Sequence, residues 1–156
     1  MAETLSFELV SPERLVRSTV AEMVVVPGLE GDFAALARHA PLLAMLRPGV
    51  VVVYGTRAQG PSERYFVAGG YAELTAERCT VLAEEALALA ELDRAALEAQ
   101  LKDLGEDLED ATEEPKRVAI RAKLAVTEAK LTAVPGAVPG AVPGAVPAHN
   151  SLETLR

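Results

Sequence analysis

Between Val26 and Gly49 the chain turns again and again: Pro27-Gly28, Gly31-Asp32 and Pro48-Gly49 punctuate short apolar runs, with Arg38-His39-Ala40-Pro41 between them. Proline presets one backbone angle and glycine admits the conformations that tight turns need, so apolar runs this short read as strands joined by close connections. The flanking segments agree. Leu5, Phe7 and Leu9 alternate with Thr4, Ser6 and Glu8 over residues 4–10, the period of a half-buried strand. Further strands are expected over residues 14–18, 21–26, 32–36, 50–54, 63–67, 71–75 and 79–83, with residues 55–62 as a Gly/Pro/polar hairpin loop. Many short strands at close spacing predict an all-β sandwich or flattened barrel. Only 4% of residues are aromatic and none is Trp, so its core has to be built from Val, Leu and Ala.

The pattern changes after Glu84. Beyond Glu91 the sequence is rich in Ala, Leu, Glu and Lys, and Leu97, Leu101, Leu104, Leu108 and Ala111 recur on one helical face. Thr112-Glu113-Glu114-Pro115 reads as a stop and a new start, because proline is tolerated in a first helical turn and pushes its predecessor out of helix. Ile120, Leu124 and Leu131 stripe a second helix over residues 116–132, so an antiparallel helical hairpin follows the sandwich. From Ala133 the run Ala-Val-Pro-Gly repeats, which reads as a disordered Pro/Gly tail. The expected domains are therefore 1–88, 89–132 and 133–156.

Little in this composition can do chemistry. Cys79 is the single cysteine and reads as a buried strand residue; His39 and His149 are the two histidines, with no partner at metal-ligand spacing. No metal site and no Ser-His-acid constellation is legible. The net charge of -8 argues against nucleic acid. No apolar run approaches the roughly 18 residues of a membrane helix, and the first residues lack the pattern of a secretory signal, so membrane association is expected only through partners. The charge is unevenly spread. Residues 91–115 carry ten acids against two bases, and residues 116–132 carry five bases against one acid. Lys116, Lys123 and Lys130 recur every seventh residue, with Arg117 and Arg121 beside them. By itself this stripe reads equally as a solvated face pairing with the acidic first helix.

The order of the turns from Val26 to Gly49, followed by Phe66-Val67-Ala68-Gly69-Gly70-Tyr71-Ala72-Glu73 and Thr80-Val81-Leu82-Ala83-Glu84, resembles the epsilon subunit family of bacterial F-type ATP synthase. The resemblance covers roughly the first 132 residues and stops before the tail. It implies a sandwich of about ten strands and a noncatalytic rotor subunit that joins the gamma shaft to the c ring at the cytoplasmic face of the bacterial inner membrane. It also implies a hairpin that restrains ATP hydrolysis. In that family the loop matching Glu30, Gly31 and Asp32 lies against the c ring, which makes Asp32 the expected contact. His39, Ala40 and Pro41 would face gamma, although His39 reads as readily as a turn histidine bonded to backbone. Lys116, Arg117, Arg121, Lys123 and Lys130 would meet an acidic segment of the catalytic beta subunits, with the alpha subunits as neighbours.

Some members of the family bind ATP through a Leu/Ile-Asp-x-x-Arg-Ala motif at the start of the first helix. Here Leu92 and Asp93 are kept, but the Arg and Ala positions hold Ala96 and Leu97. Arg94 stands two residues early, about 200° around the helix. No cofactor is expected, and Asp93 reads as an N-terminal helix residue favoured by the helix dipole. The competing reading is a free-standing β-sandwich binding module that oligomerises through its Leu-striped helices.

Overall fold

The computed structural model describes residues 3–135, which form eight strands and two helices in two compact units, one running to Glu91 and the other beginning at Leu92. The tail repeats from residue 136 on lie outside the described residues.

The first unit contains β1 (Leu5–Val10), β2 (Leu15–Ala21), β3 (Met23–Gly28), β4 (Gly31–Leu36), β5 (Leu42–Met45), β6 (Gly49–Tyr54), β7 (Glu63–Leu74) and β8 (Arg78–Ala88). Hydrogen bonding links them in the order β2-β1-β8-β7-β6-β3-β4, with β5 also on β7. All pairings are antiparallel except β1 with β8. The segments expected over 63–67 and 71–75 are a single strand, β7, interrupted in conformation at Gly69 and Gly70, whose φ angles are 75° and 100°. Before the glycines β7 pairs with β6; after them it pairs with β5. Strand β8 stays paired with β7 throughout and takes β1 on its other side at its start. Each layer thus has five strands, β2-β1-β8-β7-β5 and β8-β7-β6-β3-β4. Counting the halves of β7 and β8 in both layers recovers the expected ten.

The inner faces meet in one apolar cluster. Leu5, Phe7 and Leu9 of β1, Ala72 and Leu74 of β7, and Cys79 and Val81 of β8 pack with Val24 and Val26 of β3, Ala35 of β4, and Val51 and Val53 of β6. Fully burying each Val or Leu contributes about 1.5–3 kcal/mol, which is how a core with little aromatic content closes. Burial pushes the Cys79 thiol up to about 12, so the cysteine is an inert packing residue.

One polar pair reaches across. Arg17 of β2 and Glu63 of β7, far apart in the strand order, make a two-pronged contact, Nε to Oε1 at 2.9 Å and Nη2 to Oε2 at 2.7 Å. The Tyr65 hydroxyl donates to Oε1 at 2.9 Å. The hydrogen bond from Arg17 holds the Glu63 carboxyl below the usual carboxylate range, and burial holds the Tyr65 phenol above its own.

In the second unit, α1 (Arg94–Asp110) and α2 (Glu114–Ala133) form the expected hairpin. Asp93 caps α1, its Oδ1 accepting from Ala95 N at 3.1 Å and Ala96 N at 3.4 Å. Pro115 lies in the first turn of α2, so this helix begins two residues before the expected Lys116. The hairpin core is small: Leu104, Ala111 and Ile120, flanked by Leu108 and Leu124.

Two outcomes test this architecture. A Cβ at Gly70 would collide with the Leu82 carbonyl and would also need a positive φ, so Gly70→Ala should cost more than about 2 kcal/mol in urea unfolding. Glu63→Gln should cost about 1 kcal/mol at pH 7, since Arg17 is partly exposed and solvent screens the pair. A depressed folded-state value stabilises above the unfolded value of about 4.3 and is lost as pH falls through the folded one. The gap between wild type and variant should therefore close below about pH 4.

Candidate functional site

Strands β3 and β4 are joined by the shortest possible hairpin: Gly28 pairs with Gly31, leaving Leu29 and Glu30 as the tip. Gly28 has no room for a side chain, because a Cβ there would meet the Gly31 carbonyl and the Phe33 ring. Arg47, from the neighbouring loop, braces the tip. It donates from Nη1 to the Gly28 carbonyl at 2.6 Å and from Nη2 to Asp32 Oδ1 at 2.5 Å, while its backbone N–H donates to the Pro27 carbonyl at 3.0 Å. Asp32 is thereby ion-paired where it stands. Glu30 is exposed and forms no ion pair among the described residues.

The tip lies against β5, a strand that falls inside the turn-rich region of the sequence. Leu29 N donates to the Met45 carbonyl at 2.8 Å. Between them a groove of about 410 Å³ is lined by Leu29, Glu30, Phe33, Leu42, Leu43 and Met45. Four of these are large apolar side chains facing solvent: Leu29 is 64% exposed, Leu43 64%, Met45 56% and Leu42 39%. The patch continues along the strand register, where Met45 stands opposite Tyr71, Tyr71 opposite Leu82 and Leu82 opposite Val10. Tyr71 is itself 38% exposed. Single exposed apolar residues are ordinary, but a contiguous group rimmed by a charged tip marks an interaction surface.

The corner at 38–41 feeds directly into β5. Arg38 has a φ of 67°, a left-handed conformation unusual for a residue with a side chain, and is tied down by its N–H to the Ala76 carbonyl at 2.7 Å and by an ion pair with Glu3 at 2.8 Å. His39 Nδ1 lies 2.6 Å from the Ala40 carbonyl, which requires the proton on Nδ1. Ala40 and Pro41 are exposed. Of the expected contact residues, Glu30 and Gly31 line the same groove as Leu42 and Leu43, and His39, Ala40 and Pro41 lead into it along the backbone. Sequence reasoning misses Leu29, Leu42, Leu43, Met45 and Tyr71. The signal that could have found most of them is the apolar run Leu42-Leu43-Ala44-Met45, which its flanking turns obscure.

In the second unit the basic residues divide. Lys116 and Lys123 line a groove of about 500 Å³ with Asp107 and Asp110 across from them, and none of the four forms an ion pair among the described residues. Arg121 pairs at 3.4 Å with Glu114 of its own helix. Arg117 turns inward, its Nη1 donating to the Leu108 carbonyl at 2.7 Å and to the Ala111 carbonyl at 2.9 Å. Lys130 is half-buried. Among the described residues no His/Cys/Asp/Glu cluster could hold a metal ion, and no helix is long and apolar enough to cross a membrane.

Comparison with known proteins gives this arrangement a family. Residues 4–89 match the β-sandwich domain of the ATP synthase delta/epsilon chain, and residues 93–139 match the C-terminal domain of the ATP synthase epsilon chain. The ATP synthase epsilon chain of Rhodospirillum centenum is 53% identical over 137 residues, spanning 86% of this chain and 94% of that one. Its counterpart in Rhodospirillum rubrum is 52% identical over 87% of this chain and 100% of the relative, and that in Mesorhizobium japonicum is 43% identical over 88% and 97%. Among solved structures, a subunit of the Euglena gracilis mitochondrial ATP synthase superposes with a TM-score of 0.70 at 20% identity, covering 81% of this chain and 78% of that subunit. A subunit of the Tetrahymena thermophila mitochondrial ATP synthase central stalk and c ring gives 0.59 at 14%, covering 83% and 96%. At such low identity these two speak to the fold alone. Two domain models in the right order and relatives matched over nearly their full length establish that the chain belongs to the family of ATP synthase epsilon chains.

Proposed function

We propose that this epsilon-family protein is a noncatalytic rotor subunit, which joins the gamma shaft to the c ring during proton-driven ATP synthesis and restrains ATP hydrolysis through its hairpin. The observation that carries the reading is the exposed apolar patch on β5 and the β3–β4 tip, a surface suited to permanent contact with another subunit. The polar tip, with Glu30 outside any ion pair and Asp32 held by Arg47, suits the polar loops of a c ring; the corner at His39, Ala40 and Pro41 suits gamma. Docked this way, the subunit sits at the cytoplasmic face of the inner membrane and touches the membrane only through its partners.

The hairpin suits regulation because so little holds it together. Its buried cluster is three residues with Leu108 and Leu124 against them, beside the acid-rich end of α1, and an element this lightly packed lets a few kcal/mol of partner contact move it between two arrangements. In the extended arrangement Lys116, Arg117, Arg121, Lys123 and Lys130 would face the acidic segment of the beta subunits, beside the alpha subunits. The hairpin is not built for ATP. Asp93 is spent on capping α1, Arg94 lies 3.5 Å from Glu98, and Leu97 is buried where the nucleotide-binding motif needs a small residue. Titration calorimetry with Mg-ATP should show no saturable micromolar binding.

Two further outcomes separate docking from regulation. Leu43→Asp together with Met45→Asp should weaken binding to gamma and the c ring by at least about a hundredfold, since a few buried apolar residues dominate such interfaces. These exposed positions should leave the melting temperature within a few degrees of wild type. Reversing Lys116, Arg121 and Lys123 to Glu should leave assembly intact and raise ATP hydrolysis in the reconstituted complex, and raised ionic strength should mimic the reversal. Unchanged hydrolysis on both counts would refute an electrostatic restraint.

A further inference from the structure

We infer that Arg117 is the clasp of the helical hairpin: its guanidinium closes the turn between α1 and α2, and the two helices part only when it lets go. The inference rests on the regulatory reading for its significance, but its physical basis lies wholly within residues 107–117.

The end of α1 is poorly built on its own terms. A helix leaves its last four carbonyls without intrahelical partners, and the usual remedy is a glycine just past the end in the left-handed conformation. Here the closing residue is Ala111 at φ -77° and ψ 131°, and Thr112-Glu113 follow with no glycine. The backbone cap is Ala111 N–H to the Asp107 carbonyl at 2.9 Å. The electrostatics are also adverse. Asp107, Glu109 and Asp110 crowd the negative end of the helix dipole, and the last turn contains no base. On the other side of the turn, Glu113 makes no side-chain cap to α2.

Arg117 supplies what is missing. From the first turn of α2 it reaches back, and one nitrogen, Nη1, donates to both the Leu108 and the Ala111 carbonyls at 2.7 and 2.9 Å. Its positive charge sits where the dipole and three carboxylates call for one, and it is half-buried, which shields it in part from solvent. Its neighbours on α2 make no such contact: Lys116 and Lys123 line the groove without an ion pair among the described residues, and Arg121 serves Glu114. Nη1 is committed to the two carbonyls of α1 while Nε and Nη2 remain as further donors, so only a partner that draws the whole guanidinium away from α1 breaks the contacts that close the turn. A partner that pulls the Arg117 side chain off α1 therefore opens the clasp, whereas contact with Lys116 or Lys123 alone leaves these two hydrogen bonds in place. Arg117 is the residue of the basic stripe whose side chain ties the start of α2 to the end of α1.

The test measures the distance between helices in the full-length protein, with spin labels introduced at Glu98→Cys and Glu128→Cys and with Cys79→Ala as background. Wild type should give one short distance. Loss of a charge-assisted contact to two carbonyls should raise the separated fraction at least about tenfold in Arg117→Ala. Arg117→Gln, which keeps a donor on a shorter side chain, should fall between the two and guards against outright unfolding, which circular dichroism would reveal. Lys116→Ala removes a neighbouring charge and should match wild type. A distance distribution unchanged in Arg117→Ala, or opened equally by Lys116→Ala, would overturn the clasp. Hydrolysis in the reconstituted complex is a separate readout: a clasp that opens as expected with no change in hydrolysis refutes the regulatory reading and leaves the clasp standing.

Discussion

Two consecutive glycines with positive φ allow one strand to serve two layers. At Gly69-Gly70 strand β7 turns out of the layer it shares with β6 and into the layer it shares with β5, and β8 bends with it while staying paired. The Leu82 carbonyl fills the space where a side chain would stand at Gly70. Everything else in the first unit depends on that bend. It folds a single hydrogen-bonded sheet over a core of Val, Leu and Ala, and it delivers β5 to the outer surface beside the β3–β4 tip. The closed core and the exposed patch are therefore two consequences of one backbone feature.

The same logic distinguishes how firmly the two units are built. The sandwich buries a contiguous cluster drawn from both layers and adds a two-pronged ion pair between strands distant in the sheet. The hairpin has a much smaller core, an acidic helix end and a turn closed by one side chain. The proposed roles, a scaffold that transmits torque and an element that changes its arrangement, fit the first and the second construction respectively.

Much of this is legible from residue order. Period-two alternation locates β1, the Val-rich runs locate β3 and β6, and the leucine spacing with Pro115 locates both helices to within about three residues. Gly69-Gly70 stands out as part of a family block but not as a bend, because two positive φ angles in the middle of a strand follow from the sheet it must join and not from local propensity. Strand β5 is hidden for a related reason. Leu42-Leu43-Ala44-Met45 has no alternation, since its side chains lie exposed in a patch instead of dividing between core and solvent. Charge patterns show which residues are acids and bases but not which are spoken for. Asp32 taken by Arg47, and Arg117 taken by α1, emerge only when separate segments meet.

If the β5 patch and the β3–β4 tip dock this protein onto the rotor of an ATP synthase, its partners should come with it. Affinity isolation of the tagged full-length protein from native membranes, solubilised in mild detergent, tests this most directly. Docking predicts recovery of gamma and the c subunit with the alpha and beta subunits, and loss of that set when Leu43 and Met45 are replaced by Asp. Recovery of the protein by itself or as a self-associated oligomer would contradict it, as would recovery of the full set unaffected by the two substitutions.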